Sequence, residues 1–135
     1  MKKHLLMLAI ASSCLVATQA GAMSQDEYKV AKEKIEATYK VDKAKCDPMK
    51  DNAKDVCEKE AKGKQNVAKA ELEQQFKPSD SNSRKVAEEK VKATYDVAKE
   101  KCEDQKGDAK NACEKEAKAE EAKGKADIKA MTAKK

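Results

Sequence analysis

The chain has 135 residues, of which 41% are charged and 3% aromatic, with a formal net charge of +5. That length suits one domain, and so few bulky residues exclude a large apolar core. With no nucleophile elbow, no glycine-rich phosphate loop and a single histidine at position 4, the composition also argues against an enzyme.

Lys2, Lys3 and His4, then the apolar run from Leu5 to Val16, then Ala20-Gly21-Ala22 follow the order of an export leader: positive n-region, h-region and small-x-small cleavage site. The expectation is a signal peptide over residues 1–22, cleaved after Ala22, and a periplasmic mature chain. The apolar run is too short to span a bilayer, and no later stretch is apolar enough, so no transmembrane segment is expected after cleavage. Acylation of Cys14, as in a lipoprotein, is disfavoured: a bulky apolar residue is wanted three positions earlier, where Ala11 stands, and the apolar run continues past the cysteine. Losing Lys2, Lys3, His4 and Cys14 leaves 28 Lys and Arg against 25 Asp and Glu, no histidine and four cysteines. An even cysteine count in a small exported protein reads as a disulfide framework.

The first helix signal is Ser24-Gln25-Asp26-Glu27, a capping-box pattern. Lys and Glu then alternate with Ala at helical spacing, so the charge solvates helices rather than preventing collapse. Tyr28, Ala31, Ile35, Tyr39, Cys46 and Met49 form one stripe, interrupted by Asp42. Pro48 either ends this helix near Cys46 or opens a turn of its own with Asp47 as cap. Asp51-Asn52 supplies a turn, and a second helix is expected from about Ala53 to Phe76, weakened by Gly63. Lys77-Pro78-Ser79-Asp80-Ser81-Asn82-Ser83 reads as a helix-breaking linker, residues 77–83.

Beyond the linker the pattern returns. An offset of 56 residues pairs Lys29–Cys46 with Lys85–Cys102 and Ala53–Lys62 with Ala109–Lys118, and 21 of the 34 positions from Lys29 to Lys62 are identical. The unit is duplicated. Its second stripe is Ala87, Val91, Tyr95, Ala98, Cys102 and Gln105; Gly107-Asp108 suits a left-handed glycine followed by an N-cap, and a fourth helix is expected from about Ala109 to Met131, with Gly124 inside it. The phrase EAKGK recurs at Glu60 and Glu121, five residues out of register, which points to a shift or an insertion in the second copy. The domain plan is therefore a leader (1–22), a first hairpin (23–76), a linker (77–83) and a second hairpin with a Lys/Ala-rich C-terminal tail (84–135).

Both copies carry Cys-x10-Cys, and the predicted turn lies at the midpoint of each pair. In an antiparallel helical hairpin, residues equidistant from the turn face each other, within reach of a disulfide. In one unbroken helix the same residues would stand roughly 16 Å apart. Cys46 to Cys57 and Cys102 to Cys113 are the expected bonds; cross-copy pairing such as Cys46 with Cys102 stays open. The fold class is all-α, two tandem stapled hairpins, forming either a loose four-helix bundle or an elongated pair. Zinc is disfavoured, since the cysteines are not closely spaced and no histidine remains, and redox chemistry is disfavoured by the absence of Cys-x-x-Cys. No metal and no cofactor are expected.

The C-terminal Lys/Ala run is diluted by Glu114, Glu116, Glu120, Glu121 and Asp127, which argues against nucleic acid. Tyr39 and Tyr95, each within Ala-Thr-Tyr, are candidate partner contacts, although a place in the helix-helix seam is favoured. The segments YKVAKEKIEATYKVDKAKCD and AKDVCEKEAKGK, with the leader, resemble a group of small proteobacterial periplasmic proteins with duplicated Cys-x10-Cys helical hairpins, often labelled TolA-like or cell envelope biogenesis proteins. TolA's middle region has similar Lys/Ala/Glu-rich helices without the paired hairpins. The resemblance implies a compartment and a repeat, and no activity. Two readings follow: a structural or stress-related envelope component that binds an envelope protein or polymer, with oligomers allowed, and a periplasmic holdase for unfolded clients.

Overall fold

The computed structural model describes residues 22–133. Residues 1–21 of the expected leader, including Cys14, lie outside the described residues. Within them the chain forms four helices, α1 (Gln25–Cys46), α2 (Asp51–Phe76), α3 (Asp80–Cys102) and α4 (Gly107–Ala133), and no strand. The fold is all-α, as expected.

Local chemistry accounts for the helix ends. Ser24 Oγ accepts from the Glu27 amide at 3.2 Å while the Glu27 carboxylate accepts from the Ser24 amide at 2.8 Å, so the capping box is complete. α1 stops at Cys46, with Asp47 and Pro48 in a turn, which decides the role of Pro48. Met49 and Gln105 thus fall beyond their helices, and Met49 is exposed rather than part of the buried stripe. The two equivalent turns pass through positive φ at Asp51 (φ 51°) and Gly107 (φ 59°), a conformation that suits glycine and strains aspartate.

Both expected disulfides are present, Cys46–Cys57 and Cys102–Cys113, with Cα separations of 5.6 and 5.7 Å. Cys46 and Cys102 are also the largest fully buried side chains. The rest of the core is mainly small: Ala61, Ala70, Leu72, Ala117 and Ile128, with Gln65 buried beside them. Each bridge contributes about 3 kcal/mol by restricting the unfolded chain, a large share of the stability of so thin a protein.

Between the hairpins the expected linker of residues 77–83 shrinks to Lys77–Ser79. Ser79 Oγ accepts from the Asn82 amide at 3.0 Å and so starts α3 at Asp80. The Ser, Asp and Asn that break a helix in its interior are favoured at its N-terminus. The side-chain Nδ2 of Asn82 donates to the Lys77 carbonyl at 2.7 Å, and the Ser79 backbone amide donates to Gln74 Oε1 at 3.1 Å. These bonds fasten the turn and fold α3 back along α2. At the far end of that seam Asn52 Nδ2 donates at 2.9 Å to the Glu100 carbonyl, which also accepts from the Glu103 amide at 3.0 Å, so Asn52 ties the start of α2 to the last turn of α3.

The helices therefore lie in a row. α1 packs on α2, α2 on α3 and α3 on α4, and among the described residues no other pair of helix backbones comes together. A closed four-helix bundle would need α1 against α4. The hairpins are instead joined side by side, with α2 buried on two sides and α1 and α4 each packed on one.

Gly63 and Gly124 set the spacing of this row. A Cβ built on Gly63 would stand 2.8 Å from the Cβ of Ala93 across the α2–α3 seam, and one on Gly124 would stand 2.6 Å from Val91 Cγ2 across the α3–α4 seam. Each glycine lets two helices approach more closely than any side chain would allow. They serve different seams, so the two EAKGK phrases do different packing work, and α4 runs unbroken from Gly107 to Ala133.

Candidate interaction surfaces

The α2–α3 seam opens on one side into a trough of about 900 Å³. Its floor is Gly63, Val67, Ala68, Ala93, Val97 and Ala98, and its rim is Glu60, Lys64, Glu71, Lys90 and Lys101. Two ion pairs cross the seam, Lys90–Glu71 at 2.7 Å and Lys101–Glu60 at 3.6 Å. Both are partly exposed, so each contributes at most about 1 kcal/mol and mainly sets the register. Sequence reading did not find this surface, because its two halves come from stripes about 30 residues apart, each diluted by charge. The one legible hint was the recurrence of Val and Ala at positions off the cysteine stripes.

The two tyrosines singled out from the sequence are half-buried and belong to separate hairpins. Tyr39 lies beneath Lys62, whose Nζ stands 5.4 Å from the ring centroid, a cation–π contact between α1 and α2. Tyr95 lines grooves between α3 and α4 with Glu121. The structure does not bring the two together.

A third tyrosine closes the open end of the first hairpin. Tyr28 stacks on Phe76 with ring centroids 4.6 Å apart and a tilt of 35°, and its hydroxyl donates to Glu73 Oε1. Acceptance by the Glu73 carboxylate, with some burial, raises the Tyr28 pKa above its ordinary value near 10. The Glu27 carboxyl is held below its usual range, first by the Ser24 backbone amide and then by the Ser24 hydroxyl. At the second stapled turn Lys110 Nζ donates to Glu103 at 2.6 Å, which raises the lysine pKa.

Among the described residues the exposed large apolar side chains are Val30 and Val41 on α1, Met131 on α4 and, between α1 and α2, Met49 in the first turn. The Lys/Ala-rich C-terminal tail is helix as far as Ala133. Among the described residues no helix is long and apolar enough to cross a membrane, and no three His, Cys, Asp or Glu side chains are grouped so as to hold a metal ion.

No protein-family model, curated protein or solved structure matches this chain.

Proposed function

We propose that this chain is a non-enzymatic exported protein of the periplasm that works by contact, as a structural or stress-related component of the cell envelope. The observation that carries this reading is the pair of stapled hairpins in an open row, whose small core leaves long charged helix faces, rather than a walled cavity, as its principal surface. Disulfide bonds persist in oxidising compartments, which supports export. The test is deletion of the gene followed by challenge with detergent, osmotic shock and oxidant. Increased sensitivity that is restored by the intact gene is the expected result, and unchanged sensitivity to all three refutes the reading. Capture of envelope fractions on the oxidised chain identifies the partner.

The α2–α3 trough favours a second reading, a holdase for unfolded clients. Its apolar floor and mixed-charge rim suit an extended peptide of little sequence specificity. Suppression of a denatured client's aggregation at equimolar protein is expected in that case, and no suppression refutes it.

A further inference from the structure

α1 and α3 are copies of one another at the offset of 56, yet α3 is packed on two sides and α1 on one. The face by which α3 docks on α2 carries Ala93 and Val97, with Val86 one heptad before Ala93 on the same stripe, and the ion-pairing Lys90 and Lys101 beside it. At the equivalent positions α1 carries Ala37, Val41, Val30, Lys34 and Lys45. All five match, and all five are exposed, Val30 at 66% and Val41 at 56%. The duplication has reproduced on α1 a docking face that no helix of the described residues covers.

The other outer helix carries the complement. Glu60 and Glu71, the acidic partners on α2, correspond to Glu116 and Asp127 on α4, and Gly63 corresponds to Ala119. These three positions of α4 are likewise exposed. Placing α4 on α1 as α2 sits on α3 therefore sets Asp127 opposite Lys34 and Glu116 opposite Lys45, with the sign of charge kept at both crossings. Within one copy the two helices lie at opposite edges of the row and do not meet.

We propose that the chain associates head to tail with itself, α4 of one copy docking antiparallel on α1 of the next and repeating the α2–α3 seam. Such a contact joins two different surfaces and leaves both outer faces of the pair unused, so it extends into an open series rather than stopping at a dimer. Three departures make it weaker than the internal seam. Ala119 brings the Cβ that Gly63 lacks, Lys123 stands where Val67 lines the trough, and Asp108 stands where Asn52 donates to the end of α3. Lys45 also pairs with Asp42 on its own helix at 2.8 Å, which the new contact must compete with. The proposal rests on the repeat alone and does not require the envelope reading.

Sedimentation velocity on the full oxidised chain across a concentration series tests it. The expected result is a mean mass that rises with concentration past that of a dimer. Lys34→Glu with Lys45→Glu weakens association about tenfold, as does Glu116→Lys with Asp127→Lys, and combining all four restores it, because the charges are then exchanged rather than lost. Ala119→Gly strengthens association. Circular dichroism of each variant, with unchanged helix content, separates loss of contact from loss of fold. A monomer at every concentration overturns the proposal, and so does association that stops at a dimer or that the four exchanged charges fail to restore.

Discussion

Replacing a helix-interior glycine by alanine ordinarily stabilises a protein by about 1 kcal/mol, because alanine loses less backbone freedom on folding. At Gly63 the sign reverses. The new Cβ stands 2.8 Å from the Ala93 Cβ, well inside the contact distance of two carbons, and its neighbour is a short side chain that has no rotamer to move into. α2 and α3 must separate along a seam that holds the two hairpins together, an overpacking cost of about 1–3 kcal/mol. Set against the propensity gain of about 1 kcal/mol, Gly63→Ala is expected to destabilise the chain by about 1 kcal/mol, a fall of several degrees in Tm for a chain of this size. Thermal unfolding followed by circular dichroism, with the disulfides intact, measures it. Ala93→Gly provides the control: alone it is destabilising, and in the Gly63→Ala background it makes room for the new methyl, so the double variant is more stable than additivity allows. A Gly63→Ala protein stabilised by about 1 kcal/mol, with no coupling to position 93, refutes the close approach of α2 and α3.

Three further outcomes follow from the geometry. Asp51→Gly removes an aspartate from φ 51° and is expected to stabilise the chain by about 1 kcal/mol in urea unfolding, whereas Gly107→Asp at the equivalent φ of 59° destabilises it by a similar amount; equal effects of one sign refute the shared turn geometry. Replacing Cys102 and Cys113 together by Ser costs about 3 kcal/mol, and non-reducing peptide mapping of the parent finds Cys46 with Cys57 and Cys102 with Cys113, where free thiols or crossed pairs contradict the fold. Because the Tyr28 pKa is raised in the folded state, the contribution of its hydroxyl is fully present below pH 10 and is lost as pH rises through the raised value. The difference in Tm between the parent and Tyr28→Phe therefore narrows above pH 10, and a difference that stays constant from pH 8 to 11 contradicts the Tyr28–Glu73 bond.

Those features that depend on residues near one another in the chain were legible in the sequence. The capping box at Ser24, the left-handed turn at Gly107 and the two cysteine pairs each lie within one turn or one hairpin, where spacing alone constrains geometry. Asp80-Ser81-Asn82-Ser83 misled because the same side chains break a helix or begin one, and Ser79 decides between them through a single bond to the Asn82 amide. Gly63 read as a weakness because its reason for being there, Ala93, lies 30 residues away in a different copy of the repeat. The α2–α3 trough was hidden for the same reason. A helix of this composition shows one apolar stripe clearly, and the second stripe of α2 is made of Gly, Val and the stems of charged residues.

The placement of the connections has a mechanical consequence. Both stapled turns lie at one end of the row, where Asn52 meets Glu100, while the Lys77–Ser79 turn, the start of α1 beside Phe76 and the end of α4 beside Asp80 lie at the other. A force applied through the two chain ends pulls α1 from α2 and α4 from α3 by breaking contacts one turn after another, a geometry that yields at low load. Each hairpin opens only as far as its bridge, where the covalent bond takes over the tension and passes it on to α2 and α3, and the ten residues between each pair of cysteines are shielded from it. Under oxidising conditions the chain thus behaves as an extensible strap with two fixed stops, and a reductant releases both.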